Sequence, residues 1–396
     1  MHTSAALSYS FWYIWIVKLV ITTIFFSSNP ALGTAFGFGL SLLFLCAAAT
    51  LALMKPIRSA PIGRYFWLLA FLGWSGLSLL WTSAASTEIA GFYWFAMSID
   101  CLTVWLLVSV GPRGEIINYA TRGIIAGGVT LSIIALFFLS AAGDGRIGTS
   151  NLHANSIGNY LAVSLIVSAA TFLGELGSGA KRESLKLHVF IFFVILAGLI
   201  YTLSKTSIIG AAIAILFLFS FTRRIWHIKA LLLVGVCAAF WQAFTLIASY
   251  LDTYAQETGF DGSMASFTFT GRTILWEATF SLIRESFLLG YGLMSFRDAG
   301  PDVFTVRIPH AHNEILQILF SYGLVGLLIA FGLYISSIKH WLHARHDSLY
   351  QAFAMISLAL MIYSILRGVT EAAVIGVLFP LPLIILMTFP KGVRKK

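Results

Sequence analysis

The chain has 396 residues, 59% of them hydrophobic and 10% charged, against roughly 45–50% and about 25% in soluble domains. With 33 Phe, 11 Trp and a mean hydropathy of +0.89, that apolar surface has to face lipid, which excludes a soluble globular enzyme. A formal net charge of +9 would suit a nucleic-acid binder, but Lys and Arg gather in short clusters between apolar runs. They read as topology signals, and no nucleic-acid partner is expected.

In chain order, apolar stretches of spanning length fall at 10–28, 31–54, 65–82, 89–110, 116–142, 154–174, 187–204, 206–222, 230–249, 314–338, 348–367 and 369–389. This predicts an all-α polytopic membrane protein of about 12 transmembrane helices, a single integral membrane domain over 1–396. The first run follows no basic segment and contains Lys18, so it is expected to be a retained helix and not a cleaved leader. Basic clusters such as Lys55, Arg58 and Arg64, or Lys181, Arg182 and Lys186, fall in alternate loops; with both termini cytoplasmic they lie inside. Cys46, Cys101 and Cys237 sit within apolar runs without metal-ligand spacing, which predicts buried small apolar residues and neither a disulfide framework nor a zinc site.

Every connection is short except 249–311, between the ninth and tenth predicted helices, which this topology puts outside. A loop of that length in a compact bundle is usually functional. Within it, Arg272 opens a periodic run that stops at Gly290, predicting a helix of about four turns at the membrane surface. No internal repeat relates the two halves, which argues against an inverted-repeat secondary transporter using Asp100, Arg122 and Lys205; that reading stays as an alternative from another class.

Four basic positions far apart in sequence, Arg146, Lys205, Arg272 and His312, share the outer face in this topology, and the loop adds Arg307 near its end. A diphosphate held near the outer leaflet needs such a cluster, and a histidine beside it can take a proton from an acceptor hydroxyl at neutral pH. Arg272 stands at a helix start, where free N–H groups also favour an anion, although a lone interfacial arginine equally suits a lipid headgroup. His312 reads either as a base, with Asn313 orienting the ring or a sugar, or as a histidine merely wetted by water. Metal binding by His310, His312 and Glu314 is a third possibility from their alternation. Lys205 interrupts two apolar runs, which is expensive unless it reaches water, a phosphate or a carboxylate. Asp100 and Arg122 lie at similar depth in the fourth and fifth predicted helices and read as a structural ion pair, with a substrate or proton role as the alternative.

His312-Asn313, nine residues, Gly323, two residues and Gly326 resemble the His-Asn…Gly-x-x-Gly signature of the O-antigen ligase and polymerase superfamily. The preceding GRTILWEATFSLIRESFLLGYG is similar to that superfamily's Gly-Arg-x-x-x-Trp segment ending in a Leu-Gly-x-Gly turn. The resemblance is specific over 271–326 and looser over most of the chain. It implies a metal-independent, inverting glycosyltransferase without cofactor, in a bacterial inner membrane with its active site facing the periplasm. The implied donor is an undecaprenyl-diphosphate-linked glycan. The implied acceptor is a lipid-linked repeat unit for a polymerase, slightly favoured by the wording of Ser204-Lys205-Thr206 and Thr270-Gly271-Arg272-Thr273, or the lipid A core for a ligase. Carried over by position, His312 is the base and Arg272 a diphosphate ligand. Lys205 stands where the family usually has Arg, and lysine cannot make the bidentate clamp. Arg146 resembles an arginine ahead of an Asn-rich segment.

Overall fold

A computed structural model describes residues 3–26, 29–57, 65–139, 154–178, 181–221, 272–303, 306–344, 351–372 and 381–387. The helices among them are α1 (Thr3–Phe25), α2 (Pro30–Met54), α3 (Phe66–Leu77), α4 (Thr87–Val110), α5 (Arg113–Phe137), α6 (Ala154–Ser178), α7 (Arg182–Tyr201), α8 (Lys205–Phe221), α9 (Arg272–Glu285), α10 (Phe296–Ala299), α11 (Glu314–Ala344), α12 (Gln351–Gly368) and α13 (Leu381–Met387). Residues Asp302–Val303 and Val306–Arg307 form a minimal antiparallel strand pair. Among the described residues, seven helices are long and apolar enough to cross a membrane, α11 being counted as a single helix over Glu314–His343, and three shorter ones are apolar. The protein is a multi-pass membrane protein, mainly helical among the described residues. The predicted helix at 230–249, Cys237, Arg146 and the first part of the 249–311 loop lie outside the described residues.

The chain divides into two compact units. The first comprises Met1–Ile57, Leu106–Thr258 and Arg345–Tyr363. Lipid tails are as apolar as leucine, so helices here have to hold together by close packing and interhelical hydrogen bonds. Helix α5 supplies both. A Cβ on Gly123 would lie 2.4 Å from the Tyr9 carbonyl oxygen of α1, and one on Gly127 would lie 2.8 Å from the Ile16 Cβ. The next glycine, Gly128, faces Ser164 of α6, and Gly198 of α7 packs on Ser132 of α5. Hydroxyls tie the helices: Ser8 donates to the Ile116 carbonyl (3.0 Å), Tyr13 pairs with Thr130 (3.2 Å), and Ser164 donates to the Ile124 carbonyl (3.2 Å). The α7–α8 turn carries Lys205 at the first position of α8, with Leu203 left-handed at φ 51° and Ser204 buried against Gly158 of α6.

The second unit comprises Arg58–Trp105, Gly259–Ala344 and Ser364–Lys396. Its centre is a reversal in α11. Gly323 has φ 63° and ψ −166°, a conformation open essentially to glycine alone. The Tyr334 hydroxyl donates to the Glu314 carboxylate twenty residues earlier, whereas a straight helix would hold them roughly 30 Å apart. The two limbs therefore fold back on each other at Gly323, which corrects the single spanning helix predicted for 314–338. The groups freed at the corner are satisfied by the Leu-Gly-x-Gly turn. Tyr291 and Gly292 donate to the Phe320 and Ser321 carbonyls (both 2.8 Å), and Leu324 and Val325 donate to Phe287 and Leu288 (2.8 and 3.4 Å). Any Cβ at 323 would sit 2.2 Å from the Leu288 carbonyl oxygen.

Three further expectations change. The helix predicted from Arg272 forms, but α9 ends at Glu285, and residues 286–289 are turns leading to Gly290. The helix predicted for 369–389 is replaced, among its described residues, by a turn and irregular chain over 369–372 and by the short helix Leu381–Met387. Cys101 is buried as expected, whereas Cys46 is exposed on α2, on a helix long and apolar enough to span a bilayer. Asp100 is buried on the part of α4 in the second unit, and Arg122, in the first, lies exposed with its guanidinium 5.5 Å from the Tyr119 ring.

Candidate active site

The site grows from α9. Its buried face, Leu275, Thr279 and Ile283, is spaced by four residues, the helical repeat. Leu275 and Ile283 pack in a core with Phe296, Ala311 and Phe320. One turn apart on α9, Arg272 and Trp276 hold two other parts of the chain. The Trp276 indole N–H donates to the Ala311 carbonyl (3.0 Å), and an Arg272 N–H donates to the Thr370 carbonyl. Gln317 accepts from the Ala311 N–H (2.8 Å), so both backbone polar groups of the residue preceding His312 are fixed by side chains.

His312 itself is left-handed, with φ 50°. That conformation is uncommon outside glycine, and residues held in it concentrate at functional sites. Its Nδ1 lies 3.1 Å from Oε1 of Glu371. A carboxylate only accepts, so Nδ1 carries the proton and Nε2 is left as the basic nitrogen. His310 approaches the same oxygen with its Nε2 at 3.6 Å, and the two rings meet edge-on with centroids 4.1 Å apart. Glu371 is buried, beyond the last residue of α12. Burial pushes its carboxyl up, but the hydrogen bond from His312 and the charges of Arg367, His312 and His310 outweigh that and hold it at about 2.

Asn313 is the N-cap of α11: its side-chain oxygen accepts from Leu316 N–H (3.0 Å) and its amide donates to the Val369 carbonyl (3.1 Å). Three sequence-predicted residues, Arg272, His312 and Asn313, thus converge on three consecutive residues, Thr370, Glu371 and Val369. Glu314, the predicted third ligand beside the two histidines, turns instead to Tyr334 and packs on Gly368; Glu371 takes its place. Lys205 belongs to the first unit, and Arg307 lies in the short strand pair before His312. Sequence reasoning missed Glu371 because it lies in a run read as a helix. The available signal was a single carboxylate among apolar residues, which is expensive unless paired.

Residues 190–331 match the family described as O-antigen ligase. They are O-antigen ligase-like. The matched segment runs from α7 through the Gly323 corner and includes Lys205, Arg272, His312 and Asn313, while Glu371 lies beyond it. The chain is also similar to the exopolysaccharide production protein ExoQ of Rhizobium meliloti (strain 1021), 24% identical over 287 residues. That match covers 67% of this chain and spans 62% of the relative's length. Within the O-antigen ligase-like segment, the Gly-Arg-x-x-x-Trp spacing has a physical reason: from one helix face, Arg272 reaches Thr370 and Trp276 reaches Ala311, the residues that precede Glu371 and His312. The paired glycine motifs form the corner and its plug, and act as architecture more than as chemistry.

Proposed function

We propose that this chain is a membrane glycosyltransferase that moves a glycan from undecaprenyl diphosphate to an acceptor sugar hydroxyl, at the periplasmic face of a bacterial inner membrane. The observation that carries the reading is the convergence of Arg272, His312 and Asn313 on residues 369–371. A fixed guanidinium, an oriented imidazole and a buried carboxylate are what transfer from a diphosphate leaving group needs. Both termini are cytoplasmic in this reading and the 249–311 loop is periplasmic, as the basic clusters favour.

The reaction inverts the anomeric centre and uses no metal. Arg272 steadies the diphosphate through its guanidinium charge. The acceptor oxygen attacks the anomeric carbon from the opposite face, the bond from that carbon to the phosphate oxygen breaks, and undecaprenyl diphosphate departs with the electron pair. Nε2 of His312 takes the hydroxyl proton, and Glu371 keeps the ring in that tautomer and stabilises the imidazolium that forms. Asn313 positions His312 by capping α11. Lys205, Arg146 and Arg307 are further donor contacts, proposed on sequence context alone.

The acceptor is a lipid-linked repeat unit, which makes the chain a polymerase of surface polysaccharide. The likeness to an exopolysaccharide production protein supports this over attachment to the lipid A core. The test is a deletion strain complemented with wild type or His312→Ala, its lipid-linked and surface glycans separated on a gel. Single-repeat glycan in the mutant is the expected result. Long polymer stranded on the carrier lipid would assign ligation instead, and an unchanged pattern would refute transfer and revive the transporter.

A further inference from the structure

We propose that His310, His312 and Glu371 form a binding site for one divalent transition-metal ion of the zinc class, and that filling it switches transfer off. The site stands on geometry alone; the switch rests on the function proposed above. Glu371 Oε1 lies 3.1 Å from Nδ1 of His312 and 3.6 Å from Nε2 of His310. All three ligand atoms lie within 4.8 Å of one another. With bonds of about 2.0–2.2 Å, ligand atoms around a tetrahedral ion stand roughly 3.3–3.6 Å apart. The two separations from Glu371 fall around that edge, and turning the rings to bring the histidine nitrogens together closes the set on an ion.

The chemistry fits as well. Two imidazoles and one carboxylate are the donor set of open zinc sites, with the fourth position left to water. The histidine side chains are 18% and 23% exposed and that of Glu371 is 4% exposed, so an ion arrives from the ring side and meets a carboxylate fixed beneath the rings. Magnesium and calcium prefer shells of oxygen and do not match two nitrogens. Two features oppose binding. Arg367 acts on the same carboxylate, and the long bond from His312 N–H to His310 Nδ1, 3.4 Å, is given up when His310 turns its proton to that side. They make the site one that fills and empties with zinc concentration.

An ion there takes over Nδ1 of His312 and the oxygen that oriented it. The proton displaced from Nδ1 moves to Nε2, so the neutral ring presents an N–H there and the acceptor hydroxyl loses its base. Metal is thus an inhibitor here, consistent with a reaction that needs none.

The test uses the full-length protein in lipid nanodiscs, stripped with EDTA. Zinc chloride is titrated against a chromophoric chelator, cobalt chloride serves as a spectroscopic stand-in and magnesium chloride as a control. The expected result is one zinc per chain, tetrahedral cobalt bands, no competition from magnesium, and affinity weakened more than about 100-fold in both His310→Ala and Glu371→Gln. Transfer by the stripped wild type is complete and falls over the zinc range that fills the site, while His310→Ala transfers but ignores zinc. His310→Asn replaces His310→Ala if the latter does not insert. Absent stoichiometric binding, or binding untouched in both variants, overturns the site. Zinc that fills the site without slowing transfer, or transfer that requires zinc, overturns the switch. If the wild type shows no transfer but zinc binding is lost in both variants, the site stands and the transferase reading falls.

Discussion

Among the described residues, hydroxyls return hydrogen bonds to helix carbonyls in both units, but the second adds breaks in the backbone that the first does not show within its helices. In the first, helices stay regular, and serine and threonine hydroxyls return their hydrogen bonds to helix carbonyls, as Ser164 does with both Tyr160 and Ile124. In the second, the backbone breaks at Gly323, at His312 and over 369–372, and titratable side chains gather at the breaks. Regular helices satisfy their own backbone and leave little for a ligand, whereas a break demands partners. Once protein groups meet that demand, side chains such as His312 are held where a helix would not put them. Chemistry is therefore expected in the second unit, and close packing in the first.

The sharpest way to break this contrast is His312→Ala. Removing a general base should lower transfer by about 10²–10⁴-fold, in protein that still inserts because the histidine is part-exposed and sits outside the core cluster, although its thermal midpoint should fall because the buried Glu371 loses a hydrogen-bond partner. Ser164→Ala in the first unit, a buried change, should leave the rate untouched. Equal losses in the two variants would mean that both act through folding. Arg272→Ala comes next, at about 2–4 kcal/mol in the transition state, or ~30- to 1000-fold in rate. Arg272→Lys should recover only part of it, because a point charge cannot hold the Thr370 carbonyl and a phosphate in one plane.

How much of this was legible in sequence differs between the units for the same physical reason. Hydrophobic runs located α1 to α8 to within seven residues at either end, since helices in lipid must be long and apolar. The Gly-Arg-x-x-x-Trp and His-Asn spacings pointed to Arg272 and His312, which the structure does bring to one turn of chain. The reversal at Gly323 was not legible, because an apolar run has the same composition whether it crosses or doubles back. Glu371 was hidden likewise, in an apolar run read as a helix, and its partner is 59 residues away. The fine design of the site depends on such long-range pairings, which leave no local period.

Gly323→Ala tests whether the corner is architecture. A methyl there meets the Leu288 carbonyl at 2.2 Å and is forced into a conformation alanine avoids, so about 3 kcal/mol or more of stability should go. The loss should appear as a lower thermal midpoint in detergent, and as reduced amounts in the membrane. Wild-type stability would make the corner incidental.

Glu371→Gln sharpens the comparison through pH. The carboxyl lies at about 2 in the folded protein, below the 4.5 of a free glutamate. A depressed value means that its contribution is present above the unfolded value and lost as pH falls from about 4.5 towards 2. That shift corresponds to about 3 kcal/mol. Wild type should lose stability across this window, and Glu371→Gln, already without that contribution, should show a flatter profile there. Near neutrality the variant should transfer about 10- to 100-fold more slowly, because a neutral amide can present either end to Nδ1 and no longer stabilises the imidazolium. Glu371→Asp should recover more of the rate than Gln does if charge matters beyond shape.

The smallest effect belongs to the first unit. In Gly127→Ala the added methyl meets the Ile16 Cβ at 2.8 Å and the Tyr13 carbonyl at 3.1 Å, in a helix where alanine is otherwise preferred to glycine. The two terms oppose each other: intrinsic preference gains up to about 1 kcal/mol, while prising α5 from α1 costs about 1–3 kcal/mol of packing. Backbone atoms of α1 cannot rotate away as a side-chain end could, so the packing loss should win by about 1 kcal/mol, read as a modest fall in thermal midpoint with the transfer rate unchanged. If Gly127→Ala slowed transfer as much as Gly323→Ala, the first unit would be shaping the active site, and the division between a packed unit and a chemical one would fail.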